Sequence, residues 1–452
     1  MTDNSRLFYS LGALEMLDSA TRRVLMTRAS ERDGGVREGT AKIVNDVRLR
    51  GDRALYEMAQ RFDGATLANL EVPREACDEA LAGLEPSLRR ALERAARNIE
   101  TVHRAFLPTA LEVSPEPGIT VGRRPDALAR VGVYAPGGRA AYPSSLLMGA
   151  IPARVAGVGE VIVCSPPTAT GDVSPVVLAA AALAKVDRVF AVGGAGAIAA
   201  MAFGTESIPR VDRVVGPGNA FVAEAKLQLV GEVAIDSPAG PSELLVIADD
   251  SADVVVVANE IAAQAEHDPQ AAVIVLVTGT NASHTVEQIA TAVEALLQLA
   301  PRRDVIRSAL SSRGALLSVP SLHAAIHFAN EWAAEHLLLA LAADDEQVAL
   351  SELRSAGTIF AGESSSVAFG DYMTGANHVL PTAGLARCYS GLSTLDFIRW
   401  TSWQRVTPEA AQYLSADVAV FADAEGLAAH ANAARHWSAP APRAVTSRSQ
   451  PS

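Results

Sequence analysis

VGVYAPGGRAAYPSSLLMGAIPARVAGVGEVIVC, residues 131–164, opens on a short β-branched run and turns through four residues rich in proline and glycine. It continues as an apolar, alanine-containing stretch and closes on a second β-branched run. A strand, tight turn, helix and strand in that order is the unit of a parallel sheet, because the helix must carry the chain back before the next strand can run the same way. The pattern repeats outward from this stretch. Further β-branched runs at 189–192, 214–215, 233–235, 244–247 and 273–277 alternate with alanine-rich segments of helical length. The alternation predicts an α/β fold with largely parallel sheet. Upstream, residues 41–62 and 79–106 place apolar side chains three and four residues apart among Arg, Glu and Asp, which predicts two amphipathic helices and a mainly helical first quarter. Downstream, residues 438–452 are rich in Pro, Ser and Arg without periodicity and read as a disordered tail.

The bulk numbers bound the function. A chain of 452 residues, 49% apolar and 20% charged, is ordinary for a soluble globular protein and long enough for two or more cores. Acidic residues outnumber basic ones 51 to 38, a net charge of −13, and no basic run is present to track a phosphate backbone, so nucleic acid is not an expected partner. No apolar stretch reaches the roughly 18 residues that span a bilayer, and the opening residues lack a basic segment followed by an apolar one, so a cytoplasmic protein without membrane attachment is expected. Cys77, Cys164 and Cys388 lie far apart with no CxxC pair. Neither a disulfide framework nor a thiolate zinc site is indicated, and any metal must use nitrogen and oxygen ligands.

Four turns rich in glycine follow predicted strands: 135–138 (APGG), 193–196 (GGAG), 216–219 (GPGN) and 238–242 (PAGPS). Each alone reads as a tight turn; together they point to a cleft for a phosphate-bearing cofactor, since such turns present backbone N–H groups and helix N-termini. No GxGxxG with an acidic residue about twenty positions on is present, so the motif of a standard dinucleotide fold is missing.

Polar residues inside apolar helical surroundings are the candidates for chemistry, because burying them is costly without a partner. In 254–268, VVVVANEIAAQAEHD, Gln264 and His267 stand three apart before Pro269 and share one face. They read either as a hydrogen-bonding pair at a helix end or as two ligands of one ion. Glu335 and His336 lie near the end of 322–339, which reads as an apolar helix; they are either an acid/base couple at one cleft or a surface Glu beside a core His. Asp371 and His378 fall in 370–382, GDYMTGANHVLPT, a functional loop or an ordinary surface one, in which Asp371 can ligate a metal and His378 touch a substrate. Glu425 and His430 in EGLAAH flank a polar ligand or simply begin a solvated helix. His103, His284, His323, His327 and His436 have no supporting constellation and read as structural or surface residues.

Taken in order, the stretches VGVYAPGGRAAYPSSLLMGAIPARVAGV, FGTESIPRVDRVVGPGN, AGPSELLVIAD, QAEHDP, AEHL, GDYMTGANHVLPT and EGLAAH resemble the histidinol dehydrogenase family from about residue 36 to about residue 435. The resemblance implies two NAD-dependent oxidations of L-histidinol, by way of L-histidinaldehyde, to L-histidine. It implies zinc held by Gln264, His267, Asp371 and His430, and a catalytic pair of Glu335 and His336. It also implies substrate contacts at Ser242, Gln264, His267, His336, Asp371, Glu425 and His430, and NAD contacts at Tyr134, Asn219 and, where the family usually carries Gln, Gly196. The family also usually has Asn at Gly149 and Pro at Ala334, and differs over 396–406. Those departures keep open a paralogue acting on another polar primary alcohol, such as sulfopropanediol; a third reading is a zinc-containing binding protein without turnover. The implied architecture is α/β: two Rossmann-like, incomplete parallel-sheet domains plus small helical N- and C-terminal segments forming a dimer arm. The expected boundaries are an N-terminal helical segment at 1–35, a discontinuous domain at 36–132 and 240–385 carrying the zinc and acid/base residues, an NAD-binding domain at 133–239, and an arm at 386–437. A homodimer is implied, with His430 completing the partner's site.

Overall fold

Glu243–Ala248 and Ala272–Val277 are buried at every position, as strands covered by helices on both faces must be. The computed structural model describes residues 7–28, 34–137 and 141–438. In chain order its strands are β1 (Ser10–Ala13), β2 (Glu71–Val72), β3 (Leu111–Val113), β4 (Ile119–Ala127), β5 (Arg130–Tyr134), β6 (Glu160–Ser165), β7 (Arg188–Ala191), β8 (Arg213–Val215), β9 (Ala234–Ile235), β10 (Glu243–Ala248), β11 (Ala272–Val277), β12 (Gly314–Ser318), β13 (Ala334–Ala340), β14 (Ala356–Ala361) and β15 (Ile398–Val406).

Two six-stranded sheets result. One has the order β2-β7-β6-β5-β8-β9, parallel except for β2, and the other β1-β12-β11-β10-β13-β14, parallel throughout. In each, strand order reverses at the middle, between β5 and β8 and between β10 and β13, which is the doubly wound topology. The two Rossmann-like sheets are therefore as expected.

Sheet membership differs from the expected domain boundaries. β2 and β5 belong to the sheet of β6–β9, so most of 36–132 accompanies 133–239 and not 240–385. β1, in the segment expected to be helical, pairs with β12 of the other sheet. The expected helix over 41–62 is Gly34–Arg50 and Asp52–Met58 with one π-helical turn at Ala59–Asp63, interrupted by Gly51 at φ +53°. That over 79–106 is Arg74–Ala82 and Pro86–Ala105. Residues 439–452 of the expected disordered tail lie outside the described residues; Ser438 ends a short 3₁₀ turn.

The chain divides into two units. The first, residues 1–107 and 127–397, holds both six-stranded sheets. The second, 108–126 and 398–452, contains β15-β4-β3 and the helices Pro408–Ala424 and Ala428–Arg435, packed on each other through Ala419, Ala422 and Ala431. Among the described residues, no helix is long and apolar enough to cross a membrane.

Candidate active site

β10 and β13 run side by side with Leu244 opposite His336, and both strands begin where the helices and turns of the site converge. The helix Val254–Ala265 follows β10 and runs back against it, so its carboxyl end returns to the amino edge of the sheet. That helix is capped by Asp253, whose side chain accepts from Val255 and Val256 N–H. Glu260, buried on its inner face, accepts the Val367 N–H at 3.1 Å, tying it to the helix Val367–Tyr372 that carries Asp371.

Glu335 and His336 are on β13, not on a helix. The expected helix stops at Trp332, and Ala333 takes a left-handed φ of +53° before the strand begins. Both residues are buried, which removes the reading of Glu335 as a surface residue. Glu243 at the start of β10 holds the pair through its backbone: its N–H donates to Glu335 Oε2 at 2.7 Å, and its carbonyl oxygen lies 3.1 Å from His336 Nδ1. Glu335 Oε2 is also 3.4 Å from His336 Nδ1, and Asp371 Oδ1 is 3.7 Å from Nε2, which makes no hydrogen bond among the described residues. Burial disfavours the imidazolium, but the Glu335 and Asp371 carboxylates outweigh it and push His336 up to about 10. Burial likewise opposes ionisation of Asp371, yet the adjacent His336 draws its carboxyl below the usual range.

Behind the pair lies an ion pair that no sequence pattern flagged. Arg28 donates to Glu243 Oε2 at 2.9 Å with both side chains 2% exposed, donates also to the Trp332 carbonyl, and stacks 3.8 Å over the Trp332 ring. Glu243 Oε1 accepts the Ala383 N–H at 2.7 Å. The available signal was a lone carboxylate heading the apolar run ELLVIA; Glu260 inside VVVVANEIAA is another.

Gln264 is buried on the last turn of its helix, and its side-chain nitrogen has no hydrogen-bond partner among the described residues. His267 follows the helix end, exposed and close enough to Asp371 to favour its charge. His378 touches the Asp371 carbonyl through Nδ1 at 2.9 Å and Ser145 Oγ through Nε2 at 3.2 Å, joining this loop to the helix Pro143–Ala156 beside the other sheet. Among the described residues no three His, Cys, Asp or Glu side chains gather as a metal site. Of the implied ligands, one is an amide, which leaves only His267 and Asp371 of those residue types in the first unit. The donor types nevertheless fit one zinc ion: the Gln264 amide oxygen stands three residues before His267 at one helix end, and the His267 imidazole lies near enough to the Asp371 carboxylate to favour its charge.

The glycine turns converge from the other sheet, here at carboxyl ends of strands. Tyr134 ends β5, buried, and its hydroxyl accepts the Gly194 N–H at 3.0 Å; burial pushes the phenol up to about 12. Gly196 sits in the first turn of the helix Gly194–Phe203, where a Cβ would lie 3.0 Å from Met58 Sδ. Asn219 caps the helix Ala220–Gln228 by accepting from Phe221 and Val222 N–H at 3.0 and 3.2 Å. Gly138 of the first turn lies outside the described residues. Ser242, half-buried, immediately precedes Glu243. Glu425 and His430 are exposed in the second unit, at the end of Pro408–Ala424 and on Ala428–Arg435.

The sequence profile of the histidinol dehydrogenase family matches residues 26–437. A histidinol dehydrogenase of Methanosarcina barkeri is 46% identical over 423 residues, covering 93% of this chain and 96% of its own length. One of Methanothermobacter thermautotrophicus is 46% identical over 395 residues, 87% of this chain and 92% of its own. The crystal structure of histidinol dehydrogenase from Elizabethkingia anophelis superposes with a TM-score of 0.89 at 33% identity, covering 95% of this chain and 98% of that one.

Proposed function

The chain belongs to the histidinol dehydrogenase family, and on that premise we propose that it oxidises L-histidinol through L-histidinaldehyde to L-histidine in two successive NAD-dependent steps of histidine biosynthesis. One observation carries the chemistry: Glu335 and His336 stand 3.4 Å apart in a buried wall, with Asp371 facing the free nitrogen of His336. The relatives give no support to a different polar alcohol such as sulfopropanediol, and a non-catalytic binding protein has no use for a buried acid/base pair.

The Glu243 carbonyl can only accept a hydrogen bond, so Nδ1 of a neutral His336 carries the proton and Nε2 keeps its lone pair. The Glu335 and Asp371 carboxylates favour the charged ring, so His336 serves as a base only where that charge is offset; with the Asp371 carboxylate engaged by a metal ion the ring would be neutral, and Nε2 would be the atom that takes the alcohol proton in the first oxidation. Glu335 has one oxygen engaged by the Glu243 N–H. The other deprotonates the water that adds to the aldehyde carbon, and the hydrate loses the second hydride. NAD, the hydride acceptor in each oxidation, is assigned to the turns bearing Tyr134, Gly196 and Asn219. Zinc, assigned to Gln264, His267, Asp371 and a His430 supplied by a second copy, would polarise the alcohol and neutralise the Asp371 charge. Ser242 and Glu425 are assigned, with the ligand residues, to the amino alcohol.

The test is NADH formation by purified, zinc-loaded protein with L-histidinol. Two NADH per histidinol consumed, with histidine as product, is expected; no NADH from histidinol but turnover of sulfopropanediol would overturn the reading. His267→Ala is expected to lose bound metal together with activity, measured by metal analysis of the purified variant. Glu335→Gln is expected to keep the metal and to lose mainly the second oxidation, seen as aldehyde trapped in the first turnover.

A further inference from the structure

We propose that Lys226 and Asp236 are positioning residues for the cofactor, a buried clamp that sets the backbone of the turn 216–219 in its binding conformation. The inference rests on the reading of that turn as part of the NAD site.

β8 makes its last rung to β5 at Val215, opposite Val133, and the chain then leaves the sheet at Gly216. Gly216 has φ +113°, and a Cβ there would overlap the carbonyl oxygen of Tyr134, so the turn passes directly over the end of β5. Its peptide groups have lost their strand partners while still buried, and a buried unpaired N–H or C=O is costly. One ion pair satisfies both. Asp236 Oδ2 accepts the Gly216 N–H at 2.8 Å, Lys226 Nζ donates to the Gly216 carbonyl, and Lys226 Nζ meets Asp236 Oδ1 at 2.6 Å. Both side chains are 4% exposed.

The two charges come from elements that frame the turn. Asp236 directly follows β9, the neighbour of β8. Lys226 lies on Ala220–Gln228, the helix that Asn219 caps. The lysine therefore reaches back along its own helix to the residue where the turn begins, and the asparagine stands at the other end of the same turn. Gly216 is fixed from below by the Tyr134 backbone and at its N–H and C=O by the clamp. That leaves the path from Gly216 to Asn219 little freedom, and N–H groups that meet a ligand in one arrangement bind it without ordering costs. Neither lysine nor aspartate need touch the cofactor for this to hold.

The experiment uses the full-length, zinc-loaded protein and NAD itself as the probe. The variant Lys226→Met/Asp236→Asn leaves no uncompensated buried charge and keeps an acceptor for the Gly216 N–H, and Lys226→Arg keeps the clamp. The expected result for the double variant is an NAD Kd and KM raised by about tenfold, the loss of one buried hydrogen bond to the turn. Its kcat at saturating NAD, its zinc content and its KM for histidinol should stay at wild-type levels. Lys226→Arg should restore most of the NAD affinity. Unchanged NAD affinity in a folded double variant would overturn the clamp while leaving the proposed function standing. Parallel loss of NAD, zinc and histidinol binding would also overturn it, by showing a general structural role. A wild-type protein that does not bind NAD would overturn the proposed function and the clamp together.

Discussion

His103 is 1% exposed on the helix Pro86–Ala105, and neither of its ring nitrogens has a hydrogen-bond partner among the described residues. Burial without a partner penalises the charged ring and lowers its pKa to about 4. The folded state therefore binds fewer protons than the unfolded state between about pH 6.5 and pH 4. Stability is thus full above about pH 6.5 and falls as pH drops through this window, by at most about 3 kcal/mol. His103→Phe, which fills the site with an uncharged ring, should flatten this part of the profile; thermal melts of both proteins at pH 7 and pH 4.5 check it, and parallel profiles would refute it. The same scale explains one departure from the family. A Cβ at Gly149 would lie 2.7 Å from Val133 Cγ1 on β5, so the asparagine usual there does not fit this packing. Gly196 is less constrained, since a Cβ meets the ends of two flexible side chains, Met58 Sδ at 3.0 Å and Leu55 Cδ2 at 3.4 Å.

Between residues and whole sheets, Gly51 shows how an element boundary escapes a periodicity reading. Apolar spacing runs through it unbroken, yet it holds φ +53°, and a Cβ there would overlap the Glu206 carboxylate that accepts the Asp52 N–H at 2.9 Å. Gly51→Ala should cost about 1–3 kcal/mol through backbone strain and loss of that contact, read from urea unfolding, with the assay at low temperature unaffected. The strands of the α/β core were legible because β-branched runs such as 161–164 and 273–277 are bounded by turn formers. Glu335 and His336 were legible as residues but not as an element. LHAAIHFANEWAAEHLLLA is mostly apolar to its end, and its last part, AAEHLLLA, is too short a run to distinguish a buried strand from a helix. The break at Ala333 depends on a left-handed alanine that no propensity favours. The edge strand β2, two residues long, carries no period to read. Arg28, Lys226 and Asp236 were silent for a related reason. Their partners lie far away in sequence or on the backbone, and composition registers neither.

At the scale of the whole molecule, the first unit holds Gln264, His267, Glu335, His336 and Asp371, while Glu425 and His430 belong to the second. The second unit also exposes an apolar stripe: Tyr413, Val420 and Phe421 share one face of Pro408–Ala424 and are each at least 70% exposed. An apolar face of this kind on a small unit favours association, and an isologous dimer would place it twice. If each second unit serves the first unit of the other copy, activity becomes divisible between chains. His336→Ala spoils the site of the first unit, and His430→Ala spoils the contribution of the second. Each homodimer should be inactive. Unfolding and refolding the two variants together should yield mixed dimers in which one site takes its first-unit residues from the His430→Ala chain and its second-unit residues from the His336→Ala chain. That site is intact, so random reassociation should recover about a quarter of wild-type sites. Were both units of one chain to build the same site, every site in the mixture would contain a lesion, and mixing would restore nothing.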